Sequence, residues 1–291
     1  MQSGVVLVLG PLSDPVTAYI CMRLISRGAD FMLVDLRQDR RQFEVNWSIS
    51  GGCLEGWIRN GSRRVNVEDV RSAYVRQAEP YDVILAMAES LPIDFVNPVS
   101  AFASNSSKPF QQAAIQRSGF SVPKTLVTND PEEARRFWEE CGGRVVRKSV
   151  SDQMSIVRGV REEDLERLPL LRNGPTQFQE FVAGVETRVH TVGHRVFATE
   201  ITSGAMDYRY AERERTPRRM RAVSLPDEIA ERCLRLSAEL GLRLAGIDLR
   251  RDPDGRCYCW EANPMPGFTF FENTSGQRIG DAVADLLCGD A

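Results

Sequence analysis

The sequence predicts an α/β domain followed by α+β lobes, and three observations carry this. A buried strand, a capped helix and a second strand open the chain in βαβ order. Two antiparallel hairpins stand in its second half. Its 291 residues, 42% of them hydrophobic, exceed the roughly 100–200 residues of one domain and leave enough interior for a sizeable core.

In order along the chain, Val5–Leu9 is an unbroken apolar run of strand length. Asp14-Pro15 supplies an N-cap with proline at the first helical position, Ile20, Leu24 and Ile25 give the apolar stripe, and Gly28 stops the helix. Phe31–Val34 is the next strand, which makes a parallel pair with a right-handed crossover the expected arrangement. Further strands are expected at 43–49, 54–58, 73–75 and 83–87. A polar, serine-rich break falls at 92–107, then a helix over 107–118 closed by Gly119, and a short strand at 122–127. Asp130-Pro131-Glu132-Glu133 starts another helix that ends at Gly142-Gly143. Strands follow at 145–148, 156–158 and 176–182. Those at 186–192 and 195–202 flank Gly193-His194, a two-residue hairpin signal. A helix over 226–240, a hairpin of 244–250 with 256–262 across Asp252-Pro-Asp-Gly255, and a closing helix over 279–287 complete the reading.

Composition excludes several classes of function. No apolar run approaches the roughly 18 residues of a membrane span, no signal-peptide pattern precedes Val5, and 37 basic against 40 acidic residues give no field for nucleic acid or a membrane surface. Seven scattered cysteines fit a reducing cytosol; Cys257 and Cys259 read as buried free thiols, since two histidines hardly complete a zinc site. The chain is expected to be cytoplasmic. Gly10-Pro-Leu-Ser-Asp14 lacks the G-x-G-x-x-G spacing, which disfavours a dinucleotide dehydrogenase. Three lysines stand beside 34 arginines, so the positions that keep lysine (108, 124 and 148) draw notice.

Asp248 lies on one strand of the last hairpin, and Glu261 and Asn263 on its partner, where their i, i+2 spacing gives both one face. Three oxygen donors of this kind suit Mg²⁺, though an acidic, solvent-facing hairpin carries the same residues. The ordered series Ser107-Lys108-Pro109, Val145-Val-Arg-Lys148, Gln179-Glu180-Phe181-Val182, Glu186-Thr-Arg188, Asp207-Tyr-Arg209, Gly246-Ile-Asp248 and Glu261-Ala-Asn263-Pro264 decides between them. From residue 105 to 287 the chain resembles the ATP-grasp carboxylate-amine ligases of the RimK and glutathione-synthetase type. More narrowly, it resembles the ATP-grasp peptide-modifying, graspetide-type ligases.

The resemblance implies an ATP-grasp fold behind a Rossmann-like pre-ATP-grasp domain, divided as 1–104, 105–178 and 179–291. It implies ATP and Mg²⁺ as cofactors. Lys108 and Lys148 match the lysines that contact ATP phosphates, while Lys124 reads as a solvated surface residue. Gln179, Glu180, Phe181 and Val182 match the strand that holds adenine and ribose, and Phe178 shares that strand. Glu186 stands where the family commonly has aspartate. Arg188 matches the arginine facing the transferred phosphate, and Arg209 a second functional arginine; Asp248, Glu261 and Asn263 match the metal ligands. His190 shares the face of Arg188 and reads either as a substrate contact or as a core histidine. Arginines 209, 213, 215, 218, 219 and 221 suggest a loop over an acidic or phosphorylated substrate.

Two departures stand out: residues 149–155 contain no glycine where the family's phosphate loop is glycine-rich, and 266–272 differs from its relatives after the Asn-Pro pair. The implied activity is ADP-forming ligation of a carboxylate to an amine through an acyl phosphate, with an amino acid or peptide as partner. A macrocyclising peptide ligase and a non-catalytic nucleotide-binding module are the alternatives. Neither nucleic acid nor membrane is expected as a partner, and a homodimer is left open.

Overall fold

The computed structural model describes residues 4–35, 43–51, 53–76, 90–148, 157–204 and 215–290. Val5–Leu9 (β1), buried at every position, pairs in parallel with Phe31–Val34 (β2) on one side. Between them, Pro15–Ser26 (α1) starts at Asp14, whose carboxylate accepts from the Val16 and Thr17 amides at 2.9 Å each. Such a cap is worth about 1 kcal/mol. Phe43–Ser50 (β3), Cys53–Asn60 (β4) and Arg63–Asn66 (β5) form a separate antiparallel sheet. Val70–Val75 (β6) then returns beside β1, and Asp94–Val96 (β7) pairs with β6, giving the parallel order β2-β1-β6-β7. The strand expected at 83–87 lies outside the described residues.

The break expected at 92–107 is partly helical: Val99–Ser106 (α2) follows Pro98 and is set against the first sheet through Val99 and Phe102. Lys108–Arg117 (α3) is the helix expected over 107–118, and Gly119 follows it at φ +91°. Thr125–Thr128 (β8), Pro131–Glu140 (α4), Val145–Lys148 (β9), Arg158–Gly159 (β10) and Thr176–Glu180 (β11) build a four-stranded antiparallel lobe of order β10-β9-β11-β8. Ala134, Phe137 and Phe178 pack on one face of this lobe.

The largest sheet has the order β14-β13-β12-β15-β16, from Val185–Val192 (β12), Arg195–Ser203 (β13), Arg218–Val223 (β14), Leu244–Arg251 (β15) and Cys257–Asn263 (β16). Gly193 takes φ +56° in the expected turn between β12 and β13. Asp227–Glu239 (α5) covers one face through Cys233 and Leu236, against Val189, Ile247, Leu249 and Cys259. Phe268–Ser275 (α6) and Ile279–Cys288 (α7) cover the other. The closing helix packs back on the opening βαβ unit: Ile279, Val283 and Leu287 join one core with Val6, Val8, Ile20 and Leu24. Ser72 donates to the Leu287 carbonyl at 2.7 Å, and Tyr19 to Glu272 at 2.6 Å.

The segment 218–223, expected as part of a loop, is the edge strand β14. Its arginines leave no apolar alternation because among the described residues one edge is unpaired and Arg219 and Arg221 face water. Arg221 pairs with Glu200 at 2.7 Å, and the Arg218 guanidinium lies 4.7 Å from the Phe270 ring centre.

Candidate active site

Register brings the polar residues of the large sheet together. Arg188 stands opposite Asp248 and Asp248 opposite Glu261, one row across three strands; the neighbouring row is His190, Gly246 and Asn263. Beyond Asp248 the pairing jumps from Glu261 to Cys259, so Trp260 is the extra residue of a β-bulge. Strict alternation would give Cys257, Cys259, Glu261 and Asn263 one face. The bulge instead turns the thiols into the core under α5, where burial pushes Cys257 up to about 11, and leaves Glu261 and Asn263 beside Asp248. The six described cysteines are free thiols, as expected.

The charges around Glu261 come from distant parts of the chain. Burial raises its pKa and the Asp248 carboxylate adds to that, while Arg188, Lys148 and Lys108 pull it down. Both lysines singled out for phosphates therefore act on one carboxylate of the hairpin, whereas Lys124 is exposed. Two carboxylates and the Asn263 amide oxygen form a donor set suited to Mg²⁺. The Asn263 Oδ1 accepts from the Met265 amide at 2.8 Å, which fixes its orientation and leaves a second lone pair. Among the described residues no group of three His, Cys, Asp or Glu converges elsewhere for a metal.

Arg188 is 6% exposed and donates to Asp248 at 2.7 Å, with its guanidinium 5.7 Å from the Phe271 ring centre. Gly246 makes the room for it: a Cβ there would stand 2.0 Å from one guanidinium nitrogen and 2.7 Å from Pro266. His190, next on that face, is fully buried, sits edge-on to Phe271 at 5.0 Å, and has neither ring nitrogen bonded among the described residues. Its burial supports the core reading. Burial and then the Arg188 charge hold its pKa well below the ordinary value, so it is neutral.

The unfolded chain takes up a proton near pH ~6.5 that folded His190 refuses, so this residue's contribution is intact above that pH and is lost as pH falls below it. Denaturant titrations at about pH 7.5 and 5.5 should show a stability loss on acidification that shrinks in His190→Leu. An unchanged loss in the variant would assign the pH dependence to other groups.

On the side of the four-stranded lobe, the Lys148 ammonium lies 5.3 Å from the Trp260 ring centre and the Arg250 guanidinium 5.5 Å from it. Arg250 also donates to the Val182 carbonyl at 3.0 Å and to Glu186 at 3.2 Å, and faces the Phe181 ring at 5.7 Å. Phe181, Val182 and Glu186 are thus gathered around Arg250. Gln179 is buried and donates to the Thr125 hydroxyl at 3.0 Å; Glu180 accepts from the Lys124 amide at 3.4 Å, away from the Glu261 row. Phe178 packs into the core with Phe137. Arg209, Asp207 and the segment 149–155 lie outside the described residues. Trp260 and Arg250 were not singled out by sequence; only the bulge gives Trp260 its place.

The architecture is that of the ATP-grasp fold. Macrocyclase MdnC of Microcystis aeruginosa MRC, solved bound with its precursor peptide MdnA, matches with TM-score 0.80 at 23% identity, covering 97% of this chain and 99% of that one. A RiPP-associated ATP-grasp ligase of Chryseobacterium gregarium, in complex with ADP and a leader and core peptide, matches with TM-score 0.81 at 23% identity, covering 99% and 97%. Among curated proteins, a probable alpha-L-glutamate ligase of Rhodopirellula baltica is 26% identical over 227 residues, 74% of this chain and 53% of the relative. The chain thus spans about half the length of that relative. No family model matches. The resemblance read from the sequence thus finds ligases in both comparisons: probable alpha-L-glutamate ligases among curated proteins, and peptide-modifying ATP-grasp ligases among the solved structures that share the fold.

Proposed function

We propose that the chain is an ADP-forming ligase that activates a substrate carboxylate with ATP and joins it to an amine, with a peptide or amino acid as substrate. One arrangement carries the reading: Arg188, Asp248 and Glu261 stand in one row across three strands with Asn263 on the same face, Arg188 donates to Asp248 at 2.7 Å, and Lys148 of the four-stranded lobe reaches over Trp260 beside them. Phosphoryl transfer needs placement and charge neutralisation rather than a protein nucleophile. In this reading the two lysines hold phosphate oxygens as flexible point charges. Asp248, Glu261 and Asn263 hold Mg²⁺, which when bound neutralises the phosphates during transfer. Arg188, locked against Asp248 in the space left by Gly246, points a fixed donor fork at the transferred group. Glu186, with Arg250, stands on the nucleotide side.

Within this class, macrocyclisation of a precursor peptide is favoured by the near full-length likeness to MdnC. The test is incubation with Mg·ATP and short acidic peptides rich in Ser, Thr or Lys, following ADP and peptide mass. Loss of one water per ADP from a single peptide marks a macrocycle, and a mass gain marks ligation to a second molecule. Bound nucleotide with no peptide-stimulated ADP release would make the chain a nucleotide-binding module instead.

A further inference from the structure

Among the described residues β16 is an edge of the large sheet, bridged only by Ser121 at Tyr258, so no described strand pairs with the outward N–H and C=O of Ala262, between Glu261 and Asn263. Both are taken by one side chain. Gln111 is 3% exposed; its Nε2 donates to the Ala262 carbonyl at 2.9 Å and its Oε1 accepts from the Ala262 amide at 3.1 Å. The amide imitates a neighbouring strand for a single residue. It belongs to α3, one turn after Lys108, the first residue of that helix. The Gln111 Nε2 also reaches the Ser104 carbonyl at 3.4 Å, on the preceding helix.

We infer that Gln111 is a positioning residue that fixes Lys108 relative to Glu261 and Asn263, so that the phosphate-facing cation and the metal-facing donors hold one spacing. A helix carries its residues as a rigid row, so a two-point anchor at Gln111 sets the place from which Lys108 reaches out. The anchor ties the helix that begins at Lys108 directly to the strand residue between Glu261 and Asn263, and this is the spacing it preserves. The inference rests on the proposed reading of Lys108, Glu261 and Asn263 as facing nucleotide and metal.

A double-mutant cycle tests it, with the affinity for Mg·ADP read by calorimetry on the full chain and the melting temperature read beside it. Gln111→Leu should weaken Mg·ADP binding about tenfold in the parent and less than about twofold in a Lys108→Ala background, because the anchor acts through the lysine. A merely structural role would cost the same factor in both backgrounds, and such multiplying losses, or an unchanged affinity in Gln111→Leu, overturn the inference alone. Unchanged affinity in Lys108→Ala overturns the phosphate reading of Lys108 and the inference with it. Should Gln111→Leu fail to fold, Gln111→Glu, which keeps the acceptor for the Ala262 amide, enters the same cycle.

Discussion

Glu261→Gln should reduce ADP formation by more than about 100-fold while leaving the chain folded, since altering even the outer partners of metal ligands typically costs 10–100-fold. The substitution keeps the shape of the side chain and removes one charge from a site where burial and Asp248 already disfavour that charge. Its effect on folding is therefore small or favourable, because a buried charge is expensive to keep. Three readings together check it: ADP release, melting temperature, and the Mg²⁺ concentration needed for half-maximal nucleotide binding. ADP release equal to the parent would remove Glu261 from the metal site.

Arg188→Ala is expected to lower kcat by roughly 100–1,000-fold with a modest change in nucleotide affinity, by analogy with loss of one oxyanion donor. In the proposed reaction negative charge develops on the transferred group as the carboxylate attacks, and a guanidinium bonded to Asp248 at 2.7 Å is held in place to meet it. Gly246→Ala is the companion experiment. Its Cβ would overlap the guanidinium at 2.0 Å, so the arginine is present but displaced, and kcat should fall as in Arg188→Ala. Because Asp248 loses its partner in both variants, a Mg²⁺ titration belongs beside the kinetics. Collapse of nucleotide affinity with kcat preserved would make Arg188 a nucleotide ligand and overturn the role assigned to it.

How much of this was legible depended on whether local chemistry or tertiary contact decides each element. Asp14 and Asp130 cap their helices with their own carboxylates, and both helices were readable from short stretches of sequence. Val99–Ser106 was not, because its serines are weak helix formers and its place is set by Val99 and Phe102 packing on the first sheet. The metal-type triad was readable from i, i+2 spacing, yet the same spacing would have put Cys257 and Cys259 on its face. Only the extra residue at Trp260 separates them, and no local signal announces a bulge. Gln111 was invisible for a like reason: nothing in its own segment records that an edge strand needs two bonds at Ala262.

The last helix has a consequence for how the molecule is made. Synthesis runs from the N-terminal side to the C-terminal side, so β1, α1 and β2 exist well before α7 does. Here Val6, Val8, Ile20 and Leu24 share their core with Ile279, Val283 and Leu287, and Tyr19 is tied to Glu272 across 253 residues of chain. The core around that first βαβ unit is therefore incomplete until Ile279–Cys288 has been added. Such distant pairings are slow to form, because a long stretch of chain must be closed before they can be made. A chain cut before Phe268 lacks both Glu272, the partner of Tyr19, and the helix that completes this core.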